Sequence, residues 1–205
     1  MDPDRDIALL KYTKVWEYRD YEDHSFCEKA PIKSIITDLG MKKQEHITDW
    51  GCGAGLTARA FINEGFFVHG IDFAPNCLAE EMKDLPRFYF SEQCLWALTE
   101  KVTKTPWFIC TYVLEHLPEK KLHAVLYQMH KRTEYGGLFV ISLTEDEFGP
   151  KSINQGLHLT VRAARWWYDQ LARYWQITYD TISYFNIYNN NCMLIYATPK
   201  KEKND

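Results

Sequence analysis

The sequence predicts an α/β protein built on a largely parallel sheet, and three observations lead there. From residue 46 onward, short apolar runs of strand character alternate with segments of helical spacing. The first of these runs passes directly into Gly51-Cys52-Gly53-Ala54-Gly55 and then a helix. The chain closes on two consecutive apolar runs joined by an Asn-rich turn, Asn189-Asn190-Asn191, the pattern of an antiparallel pair.

Taken in order, His46–Trp50 reads as the first strand and Leu56–Asn63 as the helix after the glycine turn, with Gly65 ending it. Phe66–Asp72 is the second strand, and Pro75 opens a helix expected to reach about Asp84. A short third strand, Arg87–Phe90, precedes the continuous buried-type run Trp107–Val113. Pro118 then starts a helix carrying Leu122, Val125, Leu126 and Met129 at helical spacing, and Gly136-Gly137 are expected to turn the chain into strand Leu138–Leu143. A loop from Thr144 to about Leu159, a helix over Val161–Ala172, and strands Gln176–Tyr184 and Cys192–Thr198 complete the reading. Before the first strand, residues 6–20 and about 29–39 have helical character, consistent with an N-terminal cap over the sheet's ligand edge. The expected organisation is one domain over 1–205, with a cap at 1–45, a core at 46–199 and a disordered tail at 200–205.

Composition bounds the function. A length of 205 residues with 46% hydrophobic residues is ordinary for a single globular core. The formal charge of −4 argues against an extended nucleic-acid surface, because phosphate neutralisation needs a basic face. The charged N-terminus and the lack of a long uncharged apolar stretch give a cytoplasmic protein with no membrane contact as the expectation, as a monomer or homodimer. The 6 cysteines form no C-x-x-C pair, so reduced buried thiols and no metal site are expected.

The glycine turn carries the chemistry. Glycines at 51, 53 and 55 let the backbone bend sharply at a strand's carboxyl end and bring amide N–H groups close to a ligand. The dinucleotide pattern G-x-G-x-x-G would need glycine at position 56, where Leu56 stands, which weakens a nicotinamide or flavin reading. Asp72 ends the second strand 21 positions after Gly51, the offset at which a carboxylate accepts hydrogen bonds from ribose hydroxyls.

Three segments, Ile47 to Gly55, Gly70-Ile71-Asp72 and Thr111-Tyr112-Val113-Leu114-Glu115-His116-Leu117, resemble the first, second and fourth motifs of the class I S-adenosylmethionine-dependent methyltransferases. The resemblance runs from about residue 46 to 198. It implies a Rossmann-like three-layer sandwich with a seven-stranded, mostly parallel sheet and an antiparallel final strand. It also implies S-adenosyl-L-methionine as cofactor, with Gly51, Cys52, Gly53 and Gly55 at its methionine part, Asp49 anchoring the turn or facing the amino group, Asp72 on the ribose and Phe73 flanking the adenine. Gln93, Cys94, Leu95 and Thr111 complete the implied cofactor set. The chain departs from the family at two places. Where relatives often carry an acid that meets the adenine amine, the matching stretch is Ser91-Glu92-Gln93-Cys94-Leu95-Trp96, with Gln93 offering a carbonyl and Cys94 its amide, and Tyr112 replaces a common aspartate.

A sulfonium methyl is already activated, so the protein need only align an acceptor, exclude water and, for a protonated acceptor, supply a base. His116 and His158 are the candidates, since imidazole accepts protons near neutral pH, although His116 could equally cap or pack. Leu157-His158-Leu159-Thr160-Val161 is similar to a segment of some bacterial and phage relatives. Tyr18, Tyr21, Tyr112 and Trp166 are candidate substrate contacts, while Tyr12 and Trp16 are explained as well by an amphipathic packing face. Thr144-Glu145-Asp146-Glu147 reads as a solvated loop. No Asn/Asp-Pro-Pro-aromatic tetrapeptide follows the fourth strand, no Pro-Cys dipeptide exists, and a paired-glutamate loop is missing. A small-molecule acceptor is what these absences leave; a catalytically silent cofactor-binding or scaffold protein is the alternative.

Overall fold

The computed structural model describes residues 2–18, 32–98, 102–183 and 192–201. Its sheet has 7 strands in the order β3-β2-β1-β4-β5-β7-β6. These are β1 (His46–Trp50), β2 (Phe67–Asp72), β3 (Phe88–Glu92), β4 (Thr105–Thr111), β5 (Thr133–Ser142), β6 (Trp175–Ser183) and β7 (Cys192–Pro199). Strands β1 to β5 pair in parallel, and β7 runs antiparallel to both neighbours, β5 and β6. The strand order reverses between β1 and β4, where an open α/β sheet leaves a crevice at its carboxyl edge.

Alternation along the strands builds two cores. Trp50, Ile71, Phe108, Cys110, Phe139, Ile141, Met193 and Ile195 face one side, under helices α4 (Glu119–Lys131) and α6 (Ala164–Leu171). Ile47, Val68, Trp107, Ile109, Leu138, Val140, Leu194 and Tyr196 face the other, under α2 (Ile32–Leu39) and α3 (Leu56–Asn63). With both faces covered, the strands read as unbroken apolar runs rather than as clean alternation. The result is the three-layer arrangement anticipated from the sequence. Among the described residues no helix is long and apolar enough to cross a membrane.

A third, smaller cluster lies under α1 (Pro3–Val15), where Tyr12 and Val15 meet Ala74, Cys77, Ile153 and Leu157. Asp2 caps this helix by accepting from the Asp4 amide at 3.2 Å, Pro3 occupies the first turn, and Asp4 and Asp6 suit the positive end of the helix dipole. Its buried stripe is Ala8, Tyr12 and Val15, one residue per turn.

Three local expectations are corrected. The segment after Pro75 contains no α-helix, only the 3₁₀ turn Glu80–Met82. Ala79 is extended and donates its amide to the Ala54 carbonyl at 3.2 Å, which draws the chain across the glycine turn instead of into an i→i−4 ladder. Gly136-Gly137 do not turn; they lie inside β5, opposite Trp107 and Phe108. A Cβ at Gly137 would stand 2.0 Å from the Phe108 carbonyl oxygen, so these glycines permit close strand approach. The loop after β5 holds a short helix, α5 (Phe148–Ile153). The expected Asn-rich turn at 189–191 and the end of the tail at 202–205 lie outside the described residues.

Candidate active site at the carboxyl edge of the sheet

The glycine turn follows Trp50, which is fully buried and fixes the end of β1 in the core. Gly51, Gly53 and Gly55 all adopt left-handed backbone, with φ of 77°, 50° and 83°. A side chain is sterically excluded as well: a Cβ on Gly51 would lie 2.5 Å from Val113, and one on Gly53 would lie 2.9 Å from the Trp16 ring. Gly51 and Cys52 donate their amides to the Ile71 carbonyl at 2.8 and 3.0 Å, fastening the turn to β2.

Asp72 completes this clasp. Its Oδ2 accepts from the Gly53 amide at 3.0 Å, and its Oδ1 accepts from the amides of Phe73 at 2.8 Å and Ala74 at 3.1 Å. Burial pushes its carboxyl up, and these three amides pull it back toward the anion. A carboxylate offers roughly four acceptor positions, so one on Oδ2 remains for a ligand hydroxyl. Asp72 therefore shapes the turn in addition to any role on a ribose.

Asp49 presents the opposite situation. Its side chain is 1% exposed, and its Oδ2 has no hydrogen-bond partner among the described residues. Burial, and then the charge of Asp72, raise its carboxyl to about 8. A buried carboxylate without a donor is costly, and a ligand ammonium group would supply both the donor and the compensating charge. The carboxyl edge thus fits a ligand with a cationic amine near Asp49 and a hydroxylated ring near Asp72. Cys52, beside them, is held as a thiol by burial and the two acids.

The remaining predicted cofactor residues gather along the same edge. Gln93 donates its amide to the Asp72 carbonyl at 2.7 Å, with Cys94 and Leu95 buried behind it. Phe73 stands edge-on to Tyr12 at 5.5 Å and 6.3 Å from Trp96. Thr111 ends β4, and Tyr112 follows it with φ of 56°, its amide tied to the Val140 carbonyl at 2.8 Å. A left-handed tyrosine is uncommon, and here it swings the chain from β4 into the 3₁₀ turn Leu114–His116.

That turn brings the two predicted histidines together although they are far apart in sequence. The His116 and His158 rings meet edge-to-face with centroids 4.7 Å apart. His158 Nδ1 lies 2.6 Å from the Thr144 carbonyl oxygen, so it carries the hydrogen and leaves Nε2 as a lone pair. His116 Nδ1 lies 2.7 Å from Tyr12 Oη. Burial lowers both imidazoles; His116 falls well below its ordinary range, and the neighbouring His158 and Lys11 depress it further. Burial thus favours the neutral form of both rings.

Tyr12, Glu115 and Asp146 belong to this site, and sequence reasoning did not assign them to it. Tyr12 had a packing explanation, and its hydrogen bond to His116 spans 104 positions. Glu115 is fully buried with its carboxyl raised to about 8 by desolvation, and its Oε1 accepts the Ser142 amide at 3.0 Å. Asp146 corrects the solvated-loop reading. It accepts the Gly149 amide at 2.7 Å and the Leu157 and His158 amides at 2.5 and 3.2 Å, which sets the loop that carries His158.

The tentative substrate residues scatter. Tyr18 donates to the Ser152 carbonyl at 2.9 Å, where the end of α1 meets α5. Trp166 packs on Trp167 at 5.0 Å under the Arg162 guanidinium, at the border of the α4/α6 core, a packing role. Tyr21 lies outside the described residues. Trp16 instead contributes an aromatic face over Gly53. Helix α1 is latched across the edge by Asp2, whose Oδ2 accepts from Trp96 Nε1 at 3.0 Å and Lys121 Nζ at 2.7 Å.

Comparison with known proteins agrees with this geometry. Residues 47–137 match the family described as methyltransferase domain. Among curated proteins, a ubiquinone biosynthesis O-methyltransferase of Coxiella burnetii is 28% identical over 81 residues, covering 38% of this chain. The match takes in 35% of that protein, so this chain matches about a third of the length of its curated relatives. Among solved structures, magnesium protoporphyrin IX methyltransferase from Synechocystis PCC 6803 with bound SAM superposes at a TM-score of 0.70 and 16% identity, covering 98% of both chains. An N-methyltransferase from Bradyrhizobium japonicum WM9 in complex with S-adenosyl-L-homocysteine superposes at 0.61 and 12% identity, over 92% of this chain and 100% of that one.

Proposed function

We propose that this chain, which belongs by fold and family match with the class I S-adenosylmethionine-dependent methyltransferases, transfers a methyl group from that cofactor to a small molecule held beneath α1. The observation that carries the reading is the buried Asp49 carboxyl beside the left-handed glycine turn, whose Oδ2 has no hydrogen-bond partner among the described residues, with the His116–His158 pair at the same carboxyl edge. Asp49 would receive the cofactor's ammonium, Asp72 a ribose hydroxyl through its free Oδ2 position, and Phe73 the adenine. The cofactor supplies a methyl group activated by a sulfonium, so an acceptor lone pair can form the new bond as the carbon–sulfur bond breaks.

The chain's own residues then align and deprotonate. Helix α1 and the Asp146-organised loop exclude water from the edge. An imidazole Nε2 lone pair of the His116–His158 pair takes the acceptor's proton, and Tyr12 and Thr144 hold the rings in the receptive tautomer. Covering by α1 favours a compact acceptor over a polymer, as do relatives named for ubiquinone biosynthesis and magnesium protoporphyrin IX. Residues 1–45 act in this reading as a cap on the 46–199 core, within one functional unit.

The test is calorimetric titration with S-adenosyl-L-homocysteine, followed by incubation of labelled cofactor with a fractionated metabolite extract. Binding, and a product heavier by about 14 Da, the mass of an added CH₂, are expected. Absence of binding by the intact protein refutes the reading.

A further inference from the structure

We propose that Glu115, His116 and His158 form a binding site for a divalent cation of the zinc type. One ligand atom from each lies within 4.8 Å of the other two, at the meeting point of the 3₁₀ turn after β4 and the loop before α6. Glu115 and His158 stand 43 positions apart, so no sequence spacing announces the cluster.

Glu115 and His158 are fixed from behind and open in front. Glu115 spends Oε1 on the Ser142 amide, while Oε2 is buried with no hydrogen-bond partner among the described residues. His158 donates Nδ1–H to the Thr144 carbonyl, which leaves Nε2 bare. Tyr12 Oη shares a 2.7 Å hydrogen bond with His116 Nδ1 and lies 3.4 Å from the Leu157 carbonyl oxygen, which fixes the His116 ring. Imidazoles whose far nitrogen is tied to a carbonyl or hydroxyl are the arrangement that orients metal ligands. Glu115 Oε2 and His158 Nε2 therefore lie within 4.8 Å of a His116 ring nitrogen with no hydrogen-bond partner of their own among the described residues, and a cation there would satisfy both.

Donor type selects the metal. Two imidazoles and a carboxylate suit zinc, and three protein ligands leave a position open. Bonds of about 2.0–2.1 Å to zinc bring tetrahedral ligand atoms to roughly 3.3–3.5 Å from one another, so any pair standing at the 4.8 Å limit closes on binding. The His158 loop is already held against Glu115, whose carbonyl accepts the Leu159 and Thr160 amides at 2.8 and 2.9 Å. Lys11 and Asp146 are the charged groups that act on the imidazoles from α1 and the β5 loop, with opposite effects. A bound cation would convert the imidazoles from proton acceptors into ligands and place a Lewis acid at the same edge.

The test uses the whole protein stripped with chelator and titrated with zinc chloride by calorimetry, with a parallel cobalt(II) titration read by absorption. One cation per chain, a higher Tm with zinc, and cobalt bands without thiolate charge transfer are expected. Glu115→Gln and His158→Ala, each checked for folding by circular dichroism, should each lose roughly tenfold or more in affinity. No binding, undiminished binding in both folded variants, or thiolate bands would overturn the inference. Because cation and S-adenosyl-L-homocysteine are titrated separately, loss of either result leaves the other reading standing.

Discussion

Replacing Asp49 by asparagine is expected to stabilise the ligand-free protein at alkaline pH while weakening its hold on the cofactor. The carboxyl is buried, carries an unpartnered oxygen and is raised to about 8. Ionising it in place rather than in the unfolded chain costs on the order of 5 kcal/mol at pH 9, taking ~1.4 kcal/mol for each pH unit. Asparagine keeps the shape and removes the charge. If even a fifth of that figure survives local relaxation, ~1 kcal/mol raises the Tm by roughly 2–4 °C for a chain of this size. The same change removes the charge that would meet the cofactor's ammonium, a contact of about 1.5–3 kcal/mol, or roughly ten- to a hundredfold in Kd. Thermal melts at pH 9 and calorimetry with S-adenosyl-L-homocysteine read the two arms. A variant that melts no higher than the parent at pH 9 and binds the ligand equally well would refute the assignment of Asp49 as an uncompensated anion awaiting a cation.

Other outcomes follow from the same geometry. Gly53→Ala forces a side chain into backbone at φ 50° and within 2.9 Å of the Trp16 ring; strain of roughly 1–2 kcal/mol should lower the Tm and weaken cofactor binding, and unchanged melting would contradict the crowding. Tyr12→Phe removes the 2.7 Å bond to His116 but keeps the ring against Phe73, so methyl transfer should fall by roughly tenfold or more with cofactor affinity nearly unchanged; equal loss of both would assign Tyr12 to packing. The ligand-free protein should lose stability as pH rises from about 6.5 through 8 and level off above it. Asp49 and Glu115, both raised to about 8, favour folding below the ordinary carboxylate range and lose that contribution as pH rises through 8. The lowered His116 and His158 act in the opposite sense, since their contribution is full above the ordinary histidine value and declines below it. Melts of the parent and of Glu115→Gln across this range should show the alkaline slope flattened in the variant.

Local signals carried most of the architecture, and the exceptions share a cause. Strand, glycine turn, helix and carboxylate at residues 46–72 were readable because each depends on neighbours a few positions away. The helix expected after Pro75 failed because Ala79 spends its amide on Ala54, 25 positions back. Gly136-Gly137 were misread because glycine marks both a turn and a close approach of strands, and only the Phe108 carbonyl opposite distinguishes them. In the site, the Gly53 amide donates to Asp72, and His116 and His158 meet as a pair. Tyr12, Glu115 and Asp146 were hidden because what they do is defined by partners on other elements, while Trp166, a candidate for its nearness in sequence to His158, packs partly buried against the α4/α6 core.

The latching of α1 also bears on the order in which the protein can be assembled. The polar ties of α1 and its flanking residues reach Trp96, Lys121, Gly156 and Ser152, and the last two lie 145 and 134 positions beyond their partners Lys11 and Tyr18. Contacts of such separation are late to form, because the intervening chain must be in place before they can be rewarded. Contacts of this span lead us to expect α1 to seat after the sheet has formed. Until it does, the glycine turn and the crevice beside it are complete but uncovered, so cofactor loading can precede closure during folding. Seating of the helix then becomes the step that traps whatever lies at the carboxyl edge, and a ligand bound there would be released no faster than α1 unlatches.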